Sequence, residues 1–207
     1  MKIAHLVAQN IICGGAISMK LYNRTVLSDE VLYPLFVEAG RAVDARTDQV
    51  IVRVVHGRTR FHGMAVDFYS VNEAYLLGKR NWRNTKRKIN TDGGMIKLWI
   101  PLHKWHRWYQ DGTVRHKGDS GAQALLQAEA IYKLVAHEWK HIQQYQQRTF
   151  VPTPRDSAGR RITWAERPCE IAAEEAMYVA FNNLGDSAQE AILNVALKLE
   201  NILIGEE

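Results

Sequence analysis

The stretch His137-Glu138-Trp139-Lys140-His141 is the most informative part of this sequence. Two histidines four residues apart lie one turn apart on the same face of a helix, so both imidazoles can reach one metal ion. A catalytic zinc site uses three protein ligands and keeps one position open for water. Glu138 follows the first histidine, where its carboxylate can take the proton of that water. The H-E-x-x-H pattern therefore predicts one Zn²⁺ per chain, bound by His137 and His141, with Glu138 as the catalytic base.

The helix that carries this pattern is expected to begin after Asp119-Ser120 and to end near Gln147. Its core-facing stripe is predicted from helical spacing to consist of Leu125, Ala128, Tyr132, Val135, Trp139 and Ile142. The two histidines lie off this stripe, toward a cleft. A coincidental H-E-x-x-H on a polar helix face is the alternative interpretation, and histidines that served core packing would have fallen on the stripe.

A third ligand after the motif has to be a carboxylate, since no histidine follows His141. The helix predicted to begin at Pro168 carries Glu170 and Glu174 one turn apart, and Glu166 lies just before it. The alternative interpretation is that these acidic residues form a negatively charged helix start, which the helix dipole favours. The residues alone leave open which of the three glutamates binds the metal.

This helix pair, roughly residues 119–182, resembles the zincin metallopeptidases and in particular their gluzincin branch. The resemblance rests on HEWKH at 137–141 and on E-x-x-x-E at 170–174, and no match extends to the first half of the chain. It implies an α+β, zincin-like fold with a small mixed or antiparallel sheet, an edge strand over the active-site helix and a C-terminal helical part. It also implies a zinc-dependent hydrolase, a peptidase that acts on a peptide or protein substrate.

The same resemblance implies a role for individual residues of the site. His137 and His141 correspond to zinc ligands, Glu138 to the general base and Glu170 to the third ligand. Glu174 corresponds to an acidic residue that hydrogen-bonds a ligand histidine and fixes its orientation.

Peptide hydrolysis also needs a donor that stabilises the developing oxyanion. Tyr145, Tyr178 and Arg167 are the candidates that their positions in the sequence suggest.

The chain is expected to fold as a single domain over residues 1–207, with a helix and the sheet in 1–118 and the metal-binding helices in 119–207. Apolar periodicity and β-branched content predict helices over about 29–45, 120–147, 168–182 and 188–203, and strands over about 50–55, 61–71 and 95–102. Gly63 is expected to be a bulge or kink. Pro101 favours an edge position for the last strand, whose free backbone groups could hold a substrate by β-addition.

Composition limits the classes of function. The chain has 207 residues, 46% of them hydrophobic, and no run of eighteen apolar residues, so no membrane span is expected. Its two cysteines, Cys13 and Cys169, form no metal-binding or C-x-x-C pattern. A cytoplasmic protein is the simpler prediction, although Cys13-Gly14-Gly15-Ala16 near the N-terminus leaves secretion open.

The charge is unevenly distributed. Residues 1–118 hold 19 Lys and Arg against 9 Asp and Glu, a net of +10, and residues 119–207 hold 8 against 13, a net of −5. The most basic stretch, the basic loop 78–93, surrounds Trp82 with Lys79, Arg80, Arg83, Lys86, Arg87 and Lys88. This pattern is typical of weak polyanion binding, but a solvated surface loop explains the same composition and is the preferred interpretation.

Two other functional hypotheses remain open at this point. In the first, the basic front half binds nucleic acid and the zinc site is structural or vestigial. In the second, the chain is a regulatory protease that docks onto one partner through its front half and cleaves that partner alone.

Overall fold

The structure is a computed structural model that describes residues 19–47, 50–56, 62–67, 94–100, 119–150 and 155–204. The basic loop 78–93 lies outside these residues, so its polyanion binding stays a prediction. Within the described part, the chain forms a mixed α+β arrangement of one four-stranded sheet and four α-helices. None of the described helices combines the length and the apolar character that crossing a membrane requires.

Apart from β1, which was not predicted, the elements follow the order predicted from apolar periodicity and β-branched content. The strands are β1 (Lys20–Asn23), β2 (Ile51–His56), β3 (His62–Asp67) and β4 (Gly94–Ile100). The helices are α1 (Asp29–Ala42), α2 (Ser120–Gln146), α3 (Pro168–Asn182) and α4 (Asp186–Ile204), with a short 3-10 helix over Trp164–Glu166 before α3. The α+β class is thereby confirmed, and α3 begins at Pro168 as expected from its fixed φ.

The sheet is mixed and has the strand order β1-β2-β4-β3. β1, β2 and β4 run parallel, and β3 pairs with β4 in the antiparallel direction. The expectation that strand 95–102 lies at an edge is wrong, because β4 pairs on both sides. In the described sheet the edge strands are β1 and β3, and β3 is the one that α2 packs against. Pro101 does not prevent β4 from pairing on both sides, since all seven residues of β4 precede it.

Gly63 is not a bulge. It lies in regular register with Leu98 on β4, and the reason for a glycine there is found in the site described below.

The core lies between the sheet and α2. Val52, Val54, Ile96 and Leu98 are fully buried on one face of the sheet, because alternate residues of a strand point to the same side. α2 packs on β3 and β4 and also contacts the other three helices. Its predicted stripe is confirmed: Ala128, Tyr132, Val135, Trp139 and Ile142 are fully buried, and Leu125 is partly buried.

Candidate metal centre

Three side chains from two helices converge at one point. His137 and His141 lie one turn apart on α2, and Glu170 lies in the first turn of α3. Nε2 of His141 is 3.2 Å from Nε2 of His137 and 3.2 Å from Oε2 of Glu170, and the third separation, His137 Nε2 to Glu170 Oε2, is 3.4 Å. These three residues form a group whose ligand atoms could hold a metal ion.

The triad of His137, His141 and Glu170 has the dimensions of a zinc site. Zinc binds imidazole nitrogen and carboxylate oxygen at about 2.0–2.2 Å, which places the ligand atoms of a tetrahedron about 3.3–3.6 Å apart. Of the three observed separations, 3.4 Å lies within this range and the two of 3.2 Å lie about 0.1 Å below it. Two imidazoles and one carboxylate are also a donor set that zinc accepts, with a fourth position left for water.

Gln144 fixes the orientation of His141. Its side-chain Oε1 lies 2.9 Å from Nδ1 of His141, and its Nε2 donates to the backbone carbonyl of Cys169 at 3.0 Å. Because an amide oxygen can only accept, Nδ1 of His141 carries the proton of this hydrogen bond, and Nε2 is the ring nitrogen directed at Glu170. The same amide joins α2 to the backbone next to Glu170, so one side chain sets the relative position of two ligands.

The turn that ends α2 brings Phe150 into contact with the candidate metal ligand His141. The N–H groups of Arg148 and Thr149 donate to the carbonyls of Tyr145 and Gln144, at 3.1 and 2.9 Å, and Arg148 has a positive φ of 57°. This arrangement is a Schellman motif, which turns the chain back on the helix. Phe150 consequently packs its ring edge-on against His141, with ring centroids 5.7 Å apart, and against Tyr145.

Glu138 is buried beside the triad, under the edge strand β3. Its side chain is 5% exposed, and within the described residues its Oε2 has no hydrogen-bond partner. A Cβ on Gly63 would lie 2.2 Å from Oε1 of Glu138 and 2.6 Å from both Cδ and Cγ. Gly63 therefore allows a strand to approach the carboxylate more closely than any other residue type would, and the backbone N–H of Ala65 hydrogen-bonds that carboxylate.

Burial shifts the ionisation of the site. Desolvation, and then the charge of Glu170, raises the pKa of Glu138 to about 8, and the Ala65 hydrogen bond opposes this rise. Burial and the neighbouring His141 lower the pKa of His137 below its usual value. A neutral imidazole is the form that binds metal, so His137 is held in its ligand form at neutral pH.

The other acidic residues that the sequence suggested lie away from the triad. Glu174 is exposed on α3 and, among the described residues, hydrogen-bonds neither histidine; Gln144 occupies the place beside His141 that was expected for it. Glu166 is exposed, and its carboxylate accepts a hydrogen bond from the hydroxyl of Thr163 at 2.6 Å. Of the three glutamates left open by the sequence, the structure brings Glu170 to the histidines.

The three candidate oxyanion donors have different surroundings. The hydroxyl of Tyr145 donates to the carbonyl of Ala65 at 3.1 Å, which fastens the end of α2 to the edge strand. Tyr178 is 51% exposed on α3. Arg167 is half-buried at the start of α3, and its Nε is a buried donor with no hydrogen-bond partner in the described part of the chain. The role of oxyanion donor stays a prediction for all three.

An aromatic residue that sequence reasoning did not single out lies at the rim of the centre. The indole of Trp164 stacks over the imidazole of His137, with ring centroids 6.4 Å apart and an angle of 28° between the planes. Trp164 is itself 60% exposed.

Comparison with protein-family models, with curated proteins and with solved structures finds no match to this chain.

Proposed function

We propose that this protein is a zinc-dependent hydrolase of the zincin type, and more specifically a peptidase. The observation that carries the proposal is the convergence of His137 Nε2, His141 Nε2 and Glu170 Oε2 within 3.2–3.4 Å. Next to them lies the buried Oε2 of Glu138, which has no hydrogen-bond partner among the described residues. It supports a catalytic rather than a structural role, because a structural site needs no such group.

Zinc, when bound, would supply the Lewis acid that polarises a scissile carbonyl and acidifies the attacking water. Glu138 acts in its ionised form, which the positive charge of a bound metal would favour against the desolvation that raises its pKa. Its carboxylate accepts the proton of that water and passes it to the leaving amine. Gln144 and Glu170 keep His141 in one orientation, and the contacts of α2 with β3 keep Glu138 away from bulk solvent. The chain thus contributes ligands, a base and a fixed geometry.

The edge strand β3 is the element best placed to hold a polypeptide. In the described part of the sheet it pairs with β4 on one side, and its other side carries no strand. Its Gly63 and Ala65 lie directly on Glu138, so a peptide paired with this edge would pass the base. Main-chain pairing of this kind binds peptides with little regard to their sequence. It supports a peptide substrate over a small ester or amide.

Glu138→Gln is the variant that tests the proposal, because the amide keeps the shape of the side chain and is not a ligand. On fluorescent casein and a quenched peptide mixture, its turnover should fall by about 10²–10⁴-fold, the usual contribution of a general base. Zinc content should stay at about one per chain by native mass spectrometry. The matched control is Glu175→Gln on the exposed face of α3, which should keep full activity. Near-normal turnover by Glu138→Gln on any substrate that the wild type cleaves would contradict the proposal.

A second candidate function, nucleic-acid binding, has one observation in its favour. On the face of the sheet that points away from the helices, Arg53 and Lys97 are cross-strand partners. Burial and Arg24 lower the pKa of Arg53, and burial and Arg53 lower the pKa of Lys97, so three cations lie close together. A salt-sensitive association with DNA that Arg53→Glu abolishes and Glu138→Gln leaves unchanged would favour this function.

A further inference from the structure

The outer side of α4 carries an exposed apolar stripe that the proposed chemistry does not use. Leu193 and Leu197 lie one turn apart on this side and are 52% and 58% exposed, and Ile204, two turns further on, is 57% exposed. The opposite side of the helix, which includes Val195 and Leu199, is fully buried where α4 packs on α1 and α2. Apolar residues in a row at helical spacing differ from the scattered apolar exposure of an ordinary surface and indicate a contact with another molecule.

A glutamate and a lysine flank the two leucines. Glu190 and Lys198 are both exposed, and neither forms an ion pair with any other residue that the structure describes. The two are eight residues apart, about 12 Å along the helix, which is too far for them to pair with each other. Each charge therefore lacks a counter-charge within the described part of the chain.

The order of these four residues is complementary to itself when the helix is reversed. The midpoint between the two leucines is residue 195, and the midpoint between the glutamate and the lysine is residue 194. A two-fold axis between these positions therefore brings each leucine to the other leucine of a second copy, and each glutamate to the lysine of that copy, within about 1.5 Å along the helix. Asn194, which is exposed, lies at this axis, where two amides can hydrogen-bond each other. A parallel pair would instead place like charges together.

A second copy suits this surface better than a membrane or a nucleic acid does. The exposed charged residues of α4 are Asp186, Glu190 and Lys198, so the surface is acidic rather than basic. Helices that lie on membranes or bind phosphates are rich in lysine and arginine. The charges of this surface are instead neutralised in pairs when it meets its own copy.

We propose that the outer side of α4 is the interface of a homodimer in which two copies of α4 pack antiparallel. Leu193 packs on Leu197 of the partner subunit, and Glu190 pairs with Lys198 of the partner subunit. The interface is independent of the proposed hydrolase function, because none of these residues belongs to the triad or contacts Glu138. With two exposed leucines per copy it is at the small end of specific interfaces, for which a Kd of about 10–100 µM is expected.

Sedimentation velocity of the full chain at low ionic strength tests the dimer. Wild type should pass from monomer to dimer between about 5 and about 500 µM. Glu190→Lys and Lys198→Glu should each raise the Kd at least about tenfold, because two attractive contacts per dimer become repulsive. The double variant should return to within about threefold of the wild-type Kd, and so should an equimolar mixture of the two single variants, since opposite charges meet again at both contacts.

Leu197→Gln tests the apolar part of the interface and should also raise the Kd at least about tenfold, because the dimer loses two buried leucines. Glutamine is a good helix former, so the exposed position tolerates it without loss of fold. Val179→Gln on α3 is the matched control: it removes an apolar residue that is 59% exposed and lies outside α4, and it should leave the Kd unchanged. Circular dichroism of each variant checks that the helices are intact.

Four results would overturn the proposal. A wild-type chain that stays monomeric at about 500 µM would exclude the dimer. A dimer that Leu197→Gln leaves intact, or that Val179→Gln weakens as much, would use another surface. A dimer whose Kd the single charge reversals leave unchanged would not be antiparallel on α4. If neither the double variant nor the mixture recovered dimerisation, Glu190 and Lys198 would not meet across the interface.

Discussion

The contact between Gly63 and Glu138 provides a sharp test of how the base is held. Gly63→Ala adds one carbon atom, which would lie 2.2 Å from Oε1 and 2.6 Å from Cδ and Cγ of Glu138. Neither partner can move freely, since Glu138 is 5% exposed and Gly63 pairs in register with the fully buried Leu98. In the Gly63→Ala variant, either β3 has to move away from α2 or the side chain of Glu138 has to leave its position.

The expected cost is at the upper end of what overpacking a core produces, about 3 kcal/mol in the free energy of unfolding. For a chain of this length, that corresponds to a fall in Tm of roughly 6–12 °C. The three atoms in conflict are all removed in Glu138→Ala. The same Gly63→Ala change made in that background should therefore cost less than about 1 kcal/mol, which gives a coupling energy of about 2 kcal/mol.

Denaturant unfolding of the four metal-free proteins, followed by circular dichroism at one pH, measures this coupling. Gly185→Ala is the control for the added carbon atom, because a Cβ there would meet no heavy atom within 4 Å; its effect should stay below about 1 kcal/mol, the cost of replacing glycine at the N-cap of α4. An equal cost of Gly63→Ala with and without the Glu138 side chain would refute the reasoning. So would a Gly63→Ala protein as stable as wild type.

Gln144→Leu should weaken zinc binding by about 10–100-fold in competition with a chelator, because His141 loses its orienting hydrogen bond. Glu174→Ala should leave the zinc affinity unchanged, since the side chain of Glu174 is exposed. If Glu174→Ala weakened zinc binding as much as Gln144→Leu does, Glu174 would have the role expected from the sequence, that of orienting a ligand histidine. Without metal, the protein should lose stability as pH rises from about 4.5 through about 8. The reason is the raised pKa of Glu138, because over this range its carboxyl group binds more protons in the folded state than in the unfolded state. Glu138→Gln should remove this part of the pH dependence. If the free energies of unfolding of the two proteins change with pH by the same amount between pH 5 and 8, the prediction is contradicted. Charge reversal of the six basic residues in the basic loop 78–93 should abolish a weak, salt-dependent binding to DNA that gel-shift titration can follow, and binding as strong as that of wild type would argue against this role.

The parts of the site that depend on local spacing were predictable from the sequence. The H-E-x-x-H motif brings its two histidines together wherever the segment forms a regular helix. The apolar stripe from Ala128 to Ile142 is sufficient to predict that helix. Gln144 lies three residues after His141 on that helix, so i,i+3 geometry could have suggested its role. The sequence limited the candidates for the third metal ligand to Glu166, Glu170 and Glu174. The structure was needed to show that Glu170 is the one that lies beside the histidines.

Other features depend on tertiary packing and could not be predicted. Successive residues of a helix are rotated by about 100°, so Glu174 lies about 40° further around α3 than Glu170. The buried side of α3 is centred on Cys169, Ala173 and Ala180, and Glu170 is at its margin, which leaves Glu174 outside it. In the same way, the glycine at 63 suggested a bulge, because a sequence does not reveal that a carboxylate from α2 fills the space of its side chain.

The central claim is that His137, His141 and Glu170 bind one zinc ion, and zinc-edge X-ray absorption on the zinc-supplemented chain tests it most directly. The account predicts one zinc per chain, surrounded by two imidazole nitrogens and by oxygens at about 2.0–2.2 Å. It also predicts that a His137→Ala, His141→Ala double variant is free of zinc and that Glu170→Ala loses the metal under mild chelation. A wild-type protein without zinc after supplementation, or a double variant with as much zinc as wild type, would contradict the claim.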